Sequence, residues 1–222
     1  MAQSKAKTGT ARRRGTRWAA LALVILLAAA GLILYQTRVA ARQLVGGAIA
    51  DPPQPVPGFT LTDQFGHSRS LSSLAGKPVA LTFVYTNCPD VCPLISAHLH
   101  EAYQQLGKLG PQVGMVAVTV DPEHDDVNQV RTFSDKLGLT NEWFFLTGSR
   151  PQLQAVWASY GIDAQQVRNQ MAASAQAASP ETIEHSAPVF LIDKLGRVRA
   201  MLPVDVSADD IATDLRVLLA ER

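Results

Sequence analysis

From Trp18 to Gln36 the chain carries no charged residue. About 18 apolar residues rising roughly 1.5 Å each cover about 27 Å, close to the thickness of a bilayer core. Trp18 and Tyr35 stand at the two ends, where interfacial aromatics belong. The pattern predicts a transmembrane helix over 18–36. No face of it is polar, which argues against a helix buried in a soluble core. Past this run the apolar positions fall into short blocks. Phe59–Thr62 and Arg69–Leu71 alternate around a turn at Gly66 and predict a small hairpin. Val79–Tyr85 and Val113–Val120 are apolar and β-branched, as buried strands are. Leu94–Leu109 spaces Ile95, Leu99, Ala102, Leu106 and Leu109 for one helix face, and Val127–Leu137 repeats the pattern. Trp143–Leu146 predicts a strand and Pro151–Tyr160 a helix. Pro188–Ile192 and Arg197–Leu202 predict a hairpin across Asp193–Gly196, and Ser207 caps a last helix to Leu219.

Strands alternating with helices, then a terminal hairpin and helix, is a thioredoxin-like α/β order. It occupies residues 58–222. Residues 37–57 form a linker, proline-rich and extended in Asp51-Pro-Pro-Gln-Pro-Val-Pro57. Gln165 to Glu184, rich in Ala, Gln and Ser, predicts a mobile surface loop, with a short helix as the alternative.

Charge sets the orientation. Lys5, Lys7, Arg12, Arg13, Arg14 and Arg17 fill a basic tail over 1–17 without an acid, and only Arg38 and Arg42 follow the span closely. The excess of positive charge keeps the N-terminus cytoplasmic and exports the rest. A cleaved signal peptide is the alternative, since Ala48-Ile49-Ala50 offers a small-residue site, but it lies some 13 residues beyond the apolar run. After residue 42 the chain holds 12 basic and 19 acidic residues, an acidic balance that excludes a nucleic-acid binder.

The only two cysteines sit in Thr86-Asn87-Cys88-Pro89-Asp90-Val91-Cys92-Pro93. This C-x-x-x-C follows a predicted strand and opens a predicted helix. Both thiols then lie near a helix N-terminus, which lowers thiol pKa, and two such thiolates can do redox chemistry or hold a soft metal. With no other cysteine, a metal needs a third ligand from the histidines or from water. His185, in Glu184-His185-Ser186-Ala187-Pro188, precedes a predicted buried strand that a thioredoxin-like order brings against the cysteine turn; a loop histidine with local hydrogen bonds is the alternative. His98 and His100 point about 160° apart on their helix. His67 and His124 lie in polar turns. Two sulfurs and an imidazole suit Cu(I), and Cu(II) with a further weak ligand, whereas structural zinc wants four ligands.

Three stretches together resemble the Sco/SenC family: Tyr85-Thr-Asn-Cys-Pro-Asp-Val-Cys-Pro93, Val118-Thr-Val-Asp-Pro-Glu123, and His185-Ser-Ala-Pro-Val-Phe-Leu-Ile-Asp193 with the Gly196 turn. The resemblance runs from about Pro57 to the C-terminus. It implies a membrane-anchored, thioredoxin-like protein whose copper ligands are Cys88, Cys92 and His185. It implies work on the binuclear copper centre of cytochrome c oxidase, as copper donor, as thiol reductant through a redox-active Cys88–Cys92 pair, or both. The partners would be the copper-bearing oxidase subunit or other copper chaperones. The place would be a bacterial inner membrane with the domain in the periplasm, or the mitochondrial inner membrane facing the intermembrane space. Such a protein is a metallochaperone first and an enzyme only through thiol–disulfide exchange. Two departures stand out: the family's Pro-Glu-Arg-Asp-Thr is Pro122-Glu123-His124-Asp125-Asp126 here, and the loop before His185 is longer.

Overall fold

The computed structural model describes residues 23, 25–32, 44–165, 169 and 188–221, and the chain divides into two units, Met1–Gln43 and Leu44–Arg222. In the first unit, residues 25–32 are helical; among the described residues no helix is long and apolar enough to cross a membrane. The rest of the expected span, most of the 165–184 loop and His185 lie outside the described residues.

The second unit is built on a six-stranded sheet ordered β1-β8-β7-β4-β5-β6. The strands are β1 (Ala48–Pro55), β4 (Val79–Val84), β5 (Gly114–Thr119), β6 (Phe144–Leu146), β7 (Val189–Ile192) and β8 (Arg197–Leu202). A separate two-stranded hairpin joins β2 (Thr60–Thr62) to β3 (Ser68–Ser70), turning at Gly66 as its sequence predicts. Among the described residues, four α-helices are defined along their length: α1 (Val91–Leu106), α2 (Val127–Lys136), α3 (Arg150–Ser159) and α4 (Ala208–Ala220). β4 and β5 are parallel, and β7 returns antiparallel beside β4, pairing Val189 with Thr82 and Ile192 with Val79. Every residue of β4, β5 and β7 is buried, which is why their sequences are continuous apolar runs rather than alternations.

Register puts aromatic side chains on both faces of the sheet. Phe83 and Phe190 pack with Tyr160 on one face, at centroid distances of 5.5 and 5.3 Å. Phe145 packs with Phe133 of α2 and Trp143 at 5.6 and 5.4 Å. It pairs through Ala117 with Thr82, whose neighbour Phe83 points the other way. The two tight turns share one construction. Asp63 and Asp193, both buried, accept the N–H groups of the second and fourth residues onward, and each is held by an arginine.

The proline-rich linker of the sequence is, over 48–55, an edge strand. Its pairing with β8 shifts register between Ile49 and Gln54, so Pro52 and Pro53, which have no N–H to give, fall in the irregular part. The segment before it is docked: Leu44 is buried, and the Asp214 carboxylate of α4 accepts the N–H groups of Val45 (2.7 Å) and Gly46 (3.0 Å). At Gly47 a Cβ would lie 2.4 Å from the Met201 carbonyl oxygen and 2.8 Å from the Leu202 Cα, both backbone atoms. Gly47→Ala must therefore push β1 off β8. A loss of about 1–3 kcal/mol is expected, the usual range for overpacking, seen as a lower urea midpoint with an unchanged slope.

Candidate metal and thiol site

β4 ends at Val84, and the chain turns through Tyr85–Asp90 into α1. Asp90 occupies the N-cap position of α1 but its side chain makes no capping bond. The Cys88 sulfur takes that place, accepting the N–H of Cys92 at 3.3 Å. The C-x-x-x-C spacing has a structural meaning here. The first sulfur caps the helix that carries the second, so both thiols converge on its positive end.

The two thiols are unequal. Cys88 is pulled from the ordinary thiol value of 9.0 to about 6, first by the hydrogen bond that the Cys92 thiol donates to it. Burial opposes this, while the N–H groups of Asp90 and Cys92 and the Tyr85 hydroxyl add to it. Cys92 is pushed well up, first by burial and then by its donation to Cys88 and that residue's charge. The sequence predicts two low-pKa thiolates. The structure corrects this to one thiolate and one thiol, because Cys92 is wholly buried. Tyr85 is raised as well, by burial first and by the Cys88 charge second, and stays a neutral donor. A brief iodoacetamide pulse on the native chain should modify Cys88 with a midpoint near pH 6 and leave Cys92 unmodified. Peptide mapping after quenching checks this. Equal labelling of both thiols would contradict it.

The turn is held from below by Asp125, which is fully buried. Its carboxylate accepts the Thr86 N–H at 3.2 Å and the hydroxyls of Thr86 and Thr119. Its own carbonyl accepts the Thr147 hydroxyl. One side chain thus ties the exits of β4 and β5 together, two residues before Cys88. Burial raises the Asp125 pKa against the pull of these donors. In sequence Asp125 shows only as part of the Pro122–Asp126 departure. The signal for it was a threonine at the end of each of two buried strands. The neighbouring departure is local: His124 Nδ1 lies 2.8 Å from Asp121 and the ring is largely exposed. Asp126 caps α2.

Beside the turn lies a cleft of about 260 Å³, lined by Cys88 and Pro93 on one side and by α2 from Gln129 to Lys136 on the other. Cys92 does not line it. Among the described residues no cluster of three or more His, Cys, Asp or Glu side chains completes a metal site. His100 is engaged by Glu142 at 2.7 Å, and His67 is exposed in its turn. The described donor set is therefore two sulfurs, soft and without a carboxylate among them, which fits a soft monovalent cation and not a hard divalent one. Pro188, three residues after His185, runs beside β4 and accepts the Thr82 hydroxyl at 3.2 Å.

Comparison with known proteins agrees with this architecture. The SCO1 protein homolog of Bacillus subtilis (strain 168) is 35% identical over 105 residues, 46% of this chain and 54% of that protein. The structure of Bradyrhizobium japonicum ScoI with copper bound superposes with a TM-score of 0.58 at 24% identity, covering 74% of this chain and 99% of that one. BsSco, a Sco-family cytochrome c oxidase assembly protein in which a disulfide switch was identified, superposes with a TM-score of 0.60 at 26% identity, covering 79% and 99%. The SCO1/SenC family profile matches residues 48–220, the whole of the sheet and its helices. This chain belongs to the SCO1/SenC family, with its mixed α/β, thioredoxin-like fold.

Proposed function

We propose that this chain is a membrane-anchored copper metallochaperone that helps assemble the binuclear copper centre of cytochrome c oxidase, and that it binds copper through Cys88, Cys92 and His185. The observation that carries this is the sulfur-capped turn. One thiolate and one buried thiol share a hydrogen bond, and among the described residues no carboxylate joins them in a metal-ligating group. A soft cation arriving at Cys88 takes the place of the Cys92 proton, so binding releases a proton and strengthens as pH rises. Support from relatives comes from the copper-bound ScoI and the oxidase assembly protein BsSco.

The same asymmetry favours a coupled thiol step. The Cys88 thiolate is the attacking sulfur and Cys92 is placed to close on it. When the pair passes two electrons to a partner's disulfide and closes to its own, both thiolate ligands are removed and copper is released; reduction restores them. In this reading the domain lies outside the cytoplasm, on the periplasmic side of a bacterial inner membrane, which the charge-free 18–36 span and the basic tail support.

The full chain should bind one copper. His185→Ala should perturb the Cu(II) absorption spectrum more than it weakens Cu(I), since Cu(I) tolerates two thiolates alone. An unchanged Cu(II) spectrum would put the third ligand elsewhere. A reporter fused after Arg222 should be active only outside the cytoplasm.

A further inference from the structure

The face of α2 turned toward Cys88 has a distinct make-up. Gln129, Thr132 and Lys136 follow one another at three- and four-residue spacing, with Phe133 and Leu137 beside them, and all five line the cleft that Cys88 opens into. Phe133 is buried and Leu137 half-buried, so they form the floor; Gln129, Thr132 and Lys136 are exposed and form the rim. At about 260 Å³ the cleft is smaller than the ~300–1,000 Å³ of sites for cofactors and drug-sized molecules, and suits one or two side chains of an extended segment. Apart from the Cys88 thiolate, Lys136 is the only charged side chain lining it, and no ion pair engages that ammonium among the described residues. This single cation shares the cleft with the reactive sulfur, on a unit whose sequence after residue 42 has 19 acidic residues against 12 basic ones. The N-terminus of the 16-residue α1 faces the same turn and adds positive potential.

We propose that the cleft between the cysteine turn and α2 docks a partner's polypeptide segment that presents a cysteine sulfur next to an acidic side chain, with Lys136 selecting the charge. This rests on the thiol step of the reading above. In that step the Cys88 thiolate attacks the partner's sulfur in a disulfide. A Cys88–partner S–S bond forms, the partner's S–S bond breaks, and the second sulfur leaves as thiolate. Cys92 then attacks Cys88 Sγ and releases the partner's thiol, which takes the Cys92 proton. Two electrons pass from the Cys88–Cys92 pair to the partner's disulfide. The floor holds the apolar part of the segment, the rim hydrogen-bonds its backbone, and Lys136 pairs with the acid.

The test uses the reduced full chain in nonionic detergent and three probe peptides differing only beside their cysteine: Glu, Gln or Lys. Each peptide is a mixed disulfide with thionitrobenzoate, whose release is read by absorbance. The Glu peptide should react about fivefold faster than the Lys peptide at low ionic strength, the upper range for one exposed ion pair, and the ratio should fall toward one in high salt. Lys136→Met should bring the ratio to about one and Lys136→Glu should invert it. A ratio that Lys136→Glu leaves unchanged overturns the docking assignment. Copper binding is measured on the same samples. If the wild-type chain reduces all three peptides without ranking them, docking fails and the thiol step stands. If it binds copper but reduces none, the thiol step itself fails and docking with it.

Discussion

The Cys92→Ser chain is expected to lose tight copper binding, by more than about the 10–100-fold that removal of an outer partner brings. Cys92 is wholly buried and its thiol is the donor that holds Cys88 as a thiolate. Serine is close in size and keeps the hydrogen bond, but its hydroxyl does not ionise near neutral pH and is a hard donor. The site is left with one soft ligand. Cys88→Ser should have the same consequence for copper while leaving α1 intact, because a serine oxygen is itself a good cap for the Cys92 N–H. Cu(I) competition with a chromophoric chelator measures the affinity, and thermal unfolding of the same samples shows that the fold survives. Retained tight binding in either variant would remove the thiol pair from the site.

Asp125→Ala should be the most damaging change outside the cysteines. It leaves the Thr86 N–H and the hydroxyls of Thr86 and Thr119 without their acceptor at a buried position. Each buried group left unsatisfied costs about 1–3 kcal/mol, so a loss of about 3–5 kcal/mol is expected. Asp125→Asn keeps an acceptor and should cost less. It should also change the pH profile. Burial raises the native Asp125 pKa above the unfolded value of about 3.9, so the native state holds this proton more tightly. The contribution of this group to stability then falls as pH rises from about 3.9 through its native pKa. Asp125→Asn should flatten stability in that window, as read from urea unfolding between pH 4 and 7. A wild-type slope in the variant would assign the effect to another group.

Much of this was legible in the sequence, for identifiable reasons. β4, β5 and β7 are buried on both faces, so their composition announces them without help from neighbours. The β2–β3 and β7–β8 turns follow from an Asp and a Gly three residues on, with the glycines at φ 80° and 73°. The edge strand β1 was hidden because it exists only through β8, the Asp214 carboxylate and the room that Gly47 leaves, none of them local. The cysteine pair and its place at a strand-to-helix turn could be read directly. The split between its two thiols could not, since it arises from the depth of Cys92 and from four donors converging on Cys88. The α2 face from Gln129 to Lys136 gave no signal by itself. It becomes a cleft wall only when the fold brings it opposite the cysteine turn.

Copper transfer tests the central claim most directly. The full chain, loaded with one Cu(I), is mixed with a reduced, copper-free acceptor domain carrying a two-cysteine copper site, and metal on each protein is measured after separation. Copper should move to the acceptor without added reductant, and the Cys92→Ser chain should deliver none. Copper that stays on this chain, while the metal-free reduced chain alone acts by reducing an oxidised acceptor, would contradict that claim.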